Sequence, residues 1–168
     1  MHAGLIPIST LFIGLNGIIA FALSYIAATE RVRARVWHGE SKEDVVIQPD
    51  PLTNPSAWAA TVERLSQKLV GNVQDNGILQ RKVRAHGNFA EYVPHGLLFL
   101  VGLELMNAHV WLVWLLGGTL TIARIAHAYG VIAKYGPSVG RATGFFLTWF
   151  VYIVGSIACL YYSAISLV

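Results

Sequence analysis

Charge is what this sequence has least of. Of its 168 residues 12% are charged and 55% are hydrophobic, whereas soluble domains carry about 25% charged residues. Such a deficit argues against a water-soluble globule and for a chain built to meet a bilayer. Two stretches, Leu5 to Thr29 and Ala142 to Val168, contain no charged residue at all. Cysteine is nearly absent as well: Cys159 stands alone, which excludes an intrachain disulfide. No lysine or arginine precedes the first apolar stretch. A cleaved signal peptide needs a basic start, so this segment is expected to be a retained span. The formal net charge of +3 does not point to nucleic acid, because the bases are confined to particular loops and helix ends.

What is present is a set of long apolar runs. About 20 apolar residues cross a hydrocarbon core, and four segments meet that need, at about 5–29, 78–106, 110–132 and 142–168. The expected fold is all-α, a single integral membrane domain over 1–168 built as a four-helix bundle. The second segment begins near Ile78 with a polar section and includes Glu91, Pro94 and Glu104. A proline inside a helix predicts a kink. Lysine and arginine crowd the link between the first two segments and recur as Lys134 and Arg141 in the link before the last. The remaining link and both termini have none. By the positive-inside rule the basic links face the cytoplasm and both termini lie on the other side. The first link, about 36–77, is long. Trp58, Val62, Leu65 and Leu69 recur at helical spacing there, between Pro55 and Gly71, which predicts a short amphipathic helix over about 55–70.

The polar residues inside the apolar segments carry the chemistry. Charged side chains at membrane depth cost roughly 2.5 kcal/mol or more each, so they face protein or water and often mark a site. In "RKVRAHGNFAEYVP", Arg84, Asn88, Glu91 and His95 follow at i, i+4, i+7 and i+11, one face of a helix. Two readings stay open at this point. One is a structural network in which Arg84 and Glu91 neutralise each other and Asn88 bonds a neighbouring helix. The other is a polar cleft open to the cytoplasmic side. Arg124 and His127 lie one turn apart in the third segment, where Arg124 either snorkels or pairs with Glu91. Arg141, Phe145, Thr148 and Tyr152 form a second stripe of the same spacing in the fourth. A four-helix bundle brings such helix ends together. The outcome is a cationic pocket with an aromatic continuation into the bilayer, suited to an anionic hydrophilic ligand beside a lipophilic one. A guanidinium there would favour the thiolate form of a bound thiol. A metal is not expected, since His86, His95, His109 and His127 lack tight ligand spacing.

The segment containing Arg84, His86, Asn88, Glu91, Tyr92 and Pro94 resembles the second-helix signature of the MAPEG superfamily, the membrane-associated proteins in eicosanoid and glutathione metabolism, and its bacterial branch in particular. The resemblance extends to "ERVRARV" after the first segment and "ARIAHAYG" in the third. It implies a homotrimer of four-helix bundles with glutathione, as co-substrate, between subunits near the cytoplasmic side. Carried over by motif, Arg84, Asn88, Glu91 and Tyr92 would hold glutathione, and Arg33 or Arg31 would meet one of its carboxylates. Arg124 and His127 would complete the site. Arg141 would be the catalytic residue that stabilises the thiolate. The implied activity is that of a membrane-bound glutathione transferase or peroxidase acting on lipophilic electrophiles or lipid hydroperoxides, in a bacterial inner membrane. The alternative is a non-catalytic lipid- or partner-binding protein of the same fold. Two departures stand out. Phe145 falls where relatives often place a tyrosine, leaving Tyr92 or Tyr129 to supply a hydroxyl, and the first link is longer than the bacterial branch usually has.

The long link reads as peripheral to the bundle. Deleting part of Ser41 to Pro55 is expected to leave the folded oligomer intact by size-exclusion chromatography in detergent; dissociation on deletion would contradict that reading.

Overall fold

The computed structural model describes residues 5–36, 64, 77–134 and 136–167. The expected amphipathic helix over about 55–70 lies outside them, apart from Arg64. Four helices follow one another: α1 (Pro7–Ala34), α2 (Ile78–Leu105), α3 (Val110–Ala133) and α4 (Val139–Ser166). There is no strand among the described residues. The boundaries fall close to those expected. The main difference is at the basic end, where α1 runs on to Ala34 and carries Arg31 and Arg33 in its last turn. Cations are favourable there, against the negative end of the helix dipole. The helix then stops as Arg35 takes a left-handed conformation (φ 57°) and the Val36 N–H reaches back to the Arg31 carbonyl at 3.1 Å.

By length and composition α1, α3 and α4 are apolar enough to cross a membrane. Four such segments were expected, and α2 falls short because its first half is polar. At 28 residues and 1.5 Å per residue it is still about 42 Å long. It packs along α1 and α3 and also touches α4, so its polar face lies within the bundle's thickness. Pro94 sits inside α2, and the helix continues through it to Leu105. Gly77 opens α2 at φ 71°, a left-handed conformation that costs glycine little.

Two apolar clusters fill the bundle. Phe12, Leu100, Leu103, Leu116, Leu120 and Val151 form the larger one. Leu23, Ala85, Phe89, Val93, Ala128 and Val131 form the smaller, toward the basic end. Close approach in the larger cluster depends on the absence of a side chain at Gly117, whose Cβ would fall 2.2 Å from the Phe12 ring. On the outside, long rows of large apolar side chains are exposed, such as Ile18, Phe21, Ile122, Ile153, Ile157 and Leu160. So large an exposed apolar surface is suited to lipid. The protein is a multi-pass membrane protein.

Each end of the α1–α2 pair is fastened by a carboxylate. Glu30, buried at the basic end, meets Lys82 Nζ at 2.5 Å and Arg33 at 3.7 Å. At the opposite end, α1 has no side-chain cap of its own. Glu104 supplies one from the last turn of α2, accepting the N–H groups of Ile8 at 2.9 Å and Ser9 at 2.7 Å. A carboxylate there satisfies two otherwise unpaired donors and complements the positive end of the helix. Glu104→Ala is expected to destabilise the bundle by about 2 kcal/mol, the scale of hydrogen bonds to a charged group. Glu104→Gln should lie in between. Thermal unfolding in detergent reads both.

Candidate functional site

The polar faces of α2, α3 and α4 converge on one cavity of about 950 Å³ at the basic end. Its lining includes Arg84, Asn88, Glu91 and Tyr92 from α2, Arg124 and His127 from α3, and Arg141, Phe145, Thr148 and Trp149 from α4. Arg84, Asn88, Glu91, Tyr92, Arg124, His127 and Arg141 therefore share one cavity, whereas Arg31, Arg33 and Tyr129 do not line it. Arg33 stands on α1, outside the cavity wall of its own chain, 3.7 Å from Glu30.

The floor of the cavity is buried and its rim is open. Arg124 is 2% exposed and His127 7%, while Arg84, Glu91 and Arg141 are exposed. Arg124 neither snorkels nor pairs with Glu91, the two outcomes the sequence suggested. It donates to Asn88 Oδ1 at 2.5 Å and to Thr148 Oγ1 at 3.2 Å, and its guanidinium lies 5.4 Å from the centre of the Tyr92 ring. One buried side chain thus joins α2, α3 and α4. The structural network expected of Arg84 and Glu91 does not form either. Among the described residues no ion pair joins them, and both line the cavity instead. Among the described residues, five cations (Arg81, Arg84, Arg124, Lys134 and Arg141) share that lining with one carboxylate, Glu91. Such an excess favours an anionic occupant.

The α4 wall is aromatic. The Phe145 ring lies 4.5 Å from Trp149 and 5.5 Å from Phe146, and all three are exposed. Just outside the lining, Tyr152 donates to the Tyr92 carbonyl at 2.8 Å. Tyr129, one of the two hydroxyls considered at the sequence level, is 73% exposed and lies outside the lining. Of the two, Tyr92 is the hydroxyl at the cavity. His86 and His95 are also outside it, and no group of metal-ligating residues exists among the described residues.

Arg141 is positioned by backbone packing that the sequence reading missed. Gly140 and Gly144 flank it on α4, and both press on α3. A Cβ at Gly144 would meet the Ala123 carbonyl and His127 Cβ at 2.5 Å; one at Gly140 would meet the Ala126 carbonyl at 2.9 Å. Gly130 on α3 admits the Arg141 backbone in the same way, at 2.3 Å from where its Cβ would be. The available signal was a Gly-x-x-x-Gly spacing in an apolar segment, which lets helix backbones approach closely. Ser138 completes the seam, donating to the Gly130 carbonyl at 3.0 Å and accepting from the Arg141 N–H at 3.3 Å. The run Gly136-Pro137-Ser138-Val139-Gly140 also has the Gly-x-Ser-x-Gly spacing of a hydrolase nucleophile elbow, which the sequence reading overlooked when it set Ser-His-Asp chemistry aside for want of one. That elbow sits between a strand and a helix; here Ser138 is the N-cap of α4 and its hydroxyl is engaged in capping.

Fold and site together define a membrane-embedded helical bundle with a cationic cavity at one end. The MAPEG family model matches residues 9–161. The chain is 31% identical over 90 residues to the inner membrane protein YecN of Escherichia coli strain K12, and equally to YecN of an O6:H1 strain; the match covers 54% of this chain and 67% of each relative. No solved structure matches. The chain belongs to the MAPEG family.

The glycine seam carries a prediction. Gly144→Ala is expected to force α4 away from α3, destabilising the protein by about 1–3 kcal/mol, the usual cost of overpacking. Gly102→Ala, at a position with open space around it, is the control. Thermal unfolding of both variants in detergent is the check.

Proposed function

We propose that the protein is a glutathione-dependent transferase or peroxidase of a bacterial inner membrane. The observation that carries this reading is the convergence of Arg84, Asn88, Glu91, Tyr92, Arg124, His127 and Arg141 on one cavity, in a chain of a family associated with glutathione. Glutathione is an anionic tripeptide with carboxylates at both ends and a thiol between them, and the excess of guanidinium groups suits it. Glu91, the one carboxylate of the lining, suits its ammonium. Arg141 at the rim stabilises the thiolate. Lowering a thiol pKa by ~2 units corresponds to ~2.7 kcal/mol, a field to which Arg141 at the rim and the buried Arg124 at the floor both contribute. A lipophilic electrophile or lipid hydroperoxide enters along Phe145, Phe146 and Trp149. The thiolate either adds to the electrophile or attacks the peroxide oxygen, where the O–O bond breaks, the lipid alcohol leaves after taking up a proton, and a second glutathione converts the resulting sulfenic acid to the disulfide and water.

The assembly is a homotrimer in this reading, with the basic end and its cavity toward the cytoplasm and both termini on the other side. Arg33 then serves a neighbouring subunit's site, which accounts for its distance from the cavity of its own chain. Arg141 lines the cavity, which favours the thiolate role over a non-catalytic lipid- or partner-binding role.

Ultraviolet difference absorbance on adding glutathione to the detergent-purified protein tests the reading. A thiolate band is expected in the wild type and is expected to vanish in Arg141→Ala, with the fold retained. A band that persists in the variant moves the activation to another guanidinium. No band in either, with no heat of binding by calorimetry, removes the enzyme and leaves the lipid- or partner-binding reading.

A further inference from the structure

A buried arginine ordinarily finds a carboxylate, because desolvating an unpaired charge costs several kcal/mol. Arg124 does not. It is 98% buried, and among the described residues no carboxylate lies within ion-pair distance of it. Its two hydrogen-bond acceptors, Asn88 Oδ1 and Thr148 Oγ1, are both neutral. They fix the direction of the guanidinium without pairing its charge, and Glu91, the carboxylate described in the same lining, acts on it only from beyond ion-pair distance. Its Nε is buried with no partner at all. Fixed donors whose charge is not cancelled by the protein are what an anion site requires, since no reorganisation is needed when the anion arrives.

Thr148 has the better-defined part in this arrangement. Its hydroxyl proton goes to its own helix, donated to the Gly144 carbonyl at 2.7 Å. A lone pair is thereby turned toward Arg124. The residue is 2% exposed, so no water competes for that lone pair. Thr148 also lies seven residues beyond Arg141 on the same face of α4. Its bond to Arg124 therefore ties the register of α4 to α3, two turns below the rim arginine and one turn below the Gly144 contact.

We infer that Thr148 is a positioning residue that holds the Arg124 guanidinium with a neutral acceptor, so that its charge, not neutralised by an ion pair, acts on the anionic sulfur of a thiol ligand in the cavity. The inference deepens the glutathione reading and rests on it for the ligand, whereas the hold on Arg124 is a property of the ligand-free protein. Arg124 supplies field from the floor and Arg141 from the rim; Thr148, almost fully buried, acts through Arg124.

Three substitutions separate positioning from packing. Thr148→Ser keeps the acceptor. Thr148→Val keeps the shape and removes it. Thr148→Asp keeps an acceptor and cancels the charge. Two measurements are made on each in detergent, the thiolate band with glutathione and the side-chain resonances of ¹⁵N-labelled arginine without it. The expected band is close to wild type in the serine variant. It is roughly tenfold weaker in the valine variant at a pH below the thiol midpoint, the effect of about one pKa unit. It is lost in the aspartate variant although that protein melts no lower than the wild type. A packing role alone predicts an intact band in the aspartate variant, and that result overturns the inference. In the ligand-free arm, slowly exchanging Nη signals that disappear in Arg124→Lys are expected to persist in Thr148→Ser and to broaden in Thr148→Val. Unchanged signals in the valine variant overturn the hold of Thr148 on Arg124. A wild type that gives no thiolate band sinks the glutathione reading, and the arginine signals then decide the hold by themselves.

Discussion

The basic half of this bundle depends on one buried guanidinium. Arg124 projects from the middle of an apolar helix into a space closed by Asn88 of α2 and Thr148 of α4. Each of those helices must sit at a set rotation and height for its acceptor to reach. An apolar core tolerates sliding, because hydrophobic contact is non-directional. A buried hydrogen bond does not, because a donor left unpaired away from water costs about 1–3 kcal/mol, and more for a charged group. Three helices are thereby locked against one another around the cavity, where a purely apolar interface would leave their register loose.

The two halves of the bundle are built on different terms. Toward the Glu104 end, large side chains from all four helices interlock, with Phe12 set against Gly117. Toward the basic end, packing is achieved by small residues and polar bonds, as at Gly130, Gly140 and Gly144. That choice leaves a cavity open between α2 and α4. Glycine contacts bring α3 and α4 together closely enough to present Arg141 at the rim, and the space beside them stays available to a ligand. Membership of the MAPEG family fits a bundle divided in this way, with an apolar exterior and a polar recess at one end.

Much of this was legible in the sequence, for physical reasons. Charge-free runs of membrane length fix the helices, and polar residues at i, i+4, i+7 on an apolar helix cannot face lipid without cost, so they had to converge. A polar cleft joining Arg84, Asn88 and Glu91 to Arg124 and Arg141 was one of the two readings this left open; Tyr92 came from the family resemblance, and His95, on the same stripe, lies outside the cavity. What could not be read was the partner of each polar group. Arg124 had Glu91 as its obvious mate by charge, yet the structure gives it two neutral acceptors, one of them on a helix 24 residues further along the chain. The rotation of α3 was only partly legible. Arg124 and His127, one turn apart, marked its inner face, whereas Tyr129 was left open as a source of a hydroxyl and proves to point outward. The glycine seam was obscured because glycine is common in such helices, and only the contact shows which ones matter. Glu104 was visible as a carboxylate in an apolar run, but its partners lie 95 and 96 residues earlier.

That last bond bears on how the chain is built into a membrane. Helix α1 is synthesised before α2, yet the group that closes its leading turn belongs to the far end of α2. Until Glu104 has been made, the Ile8 and Ser9 N–H groups must find other partners, such as water or lipid headgroups. The arrival of α2 exchanges those transient partners for a fixed one. The leading turn of α1 is thus completed only when both arms of the α1–α2 hairpin are in place.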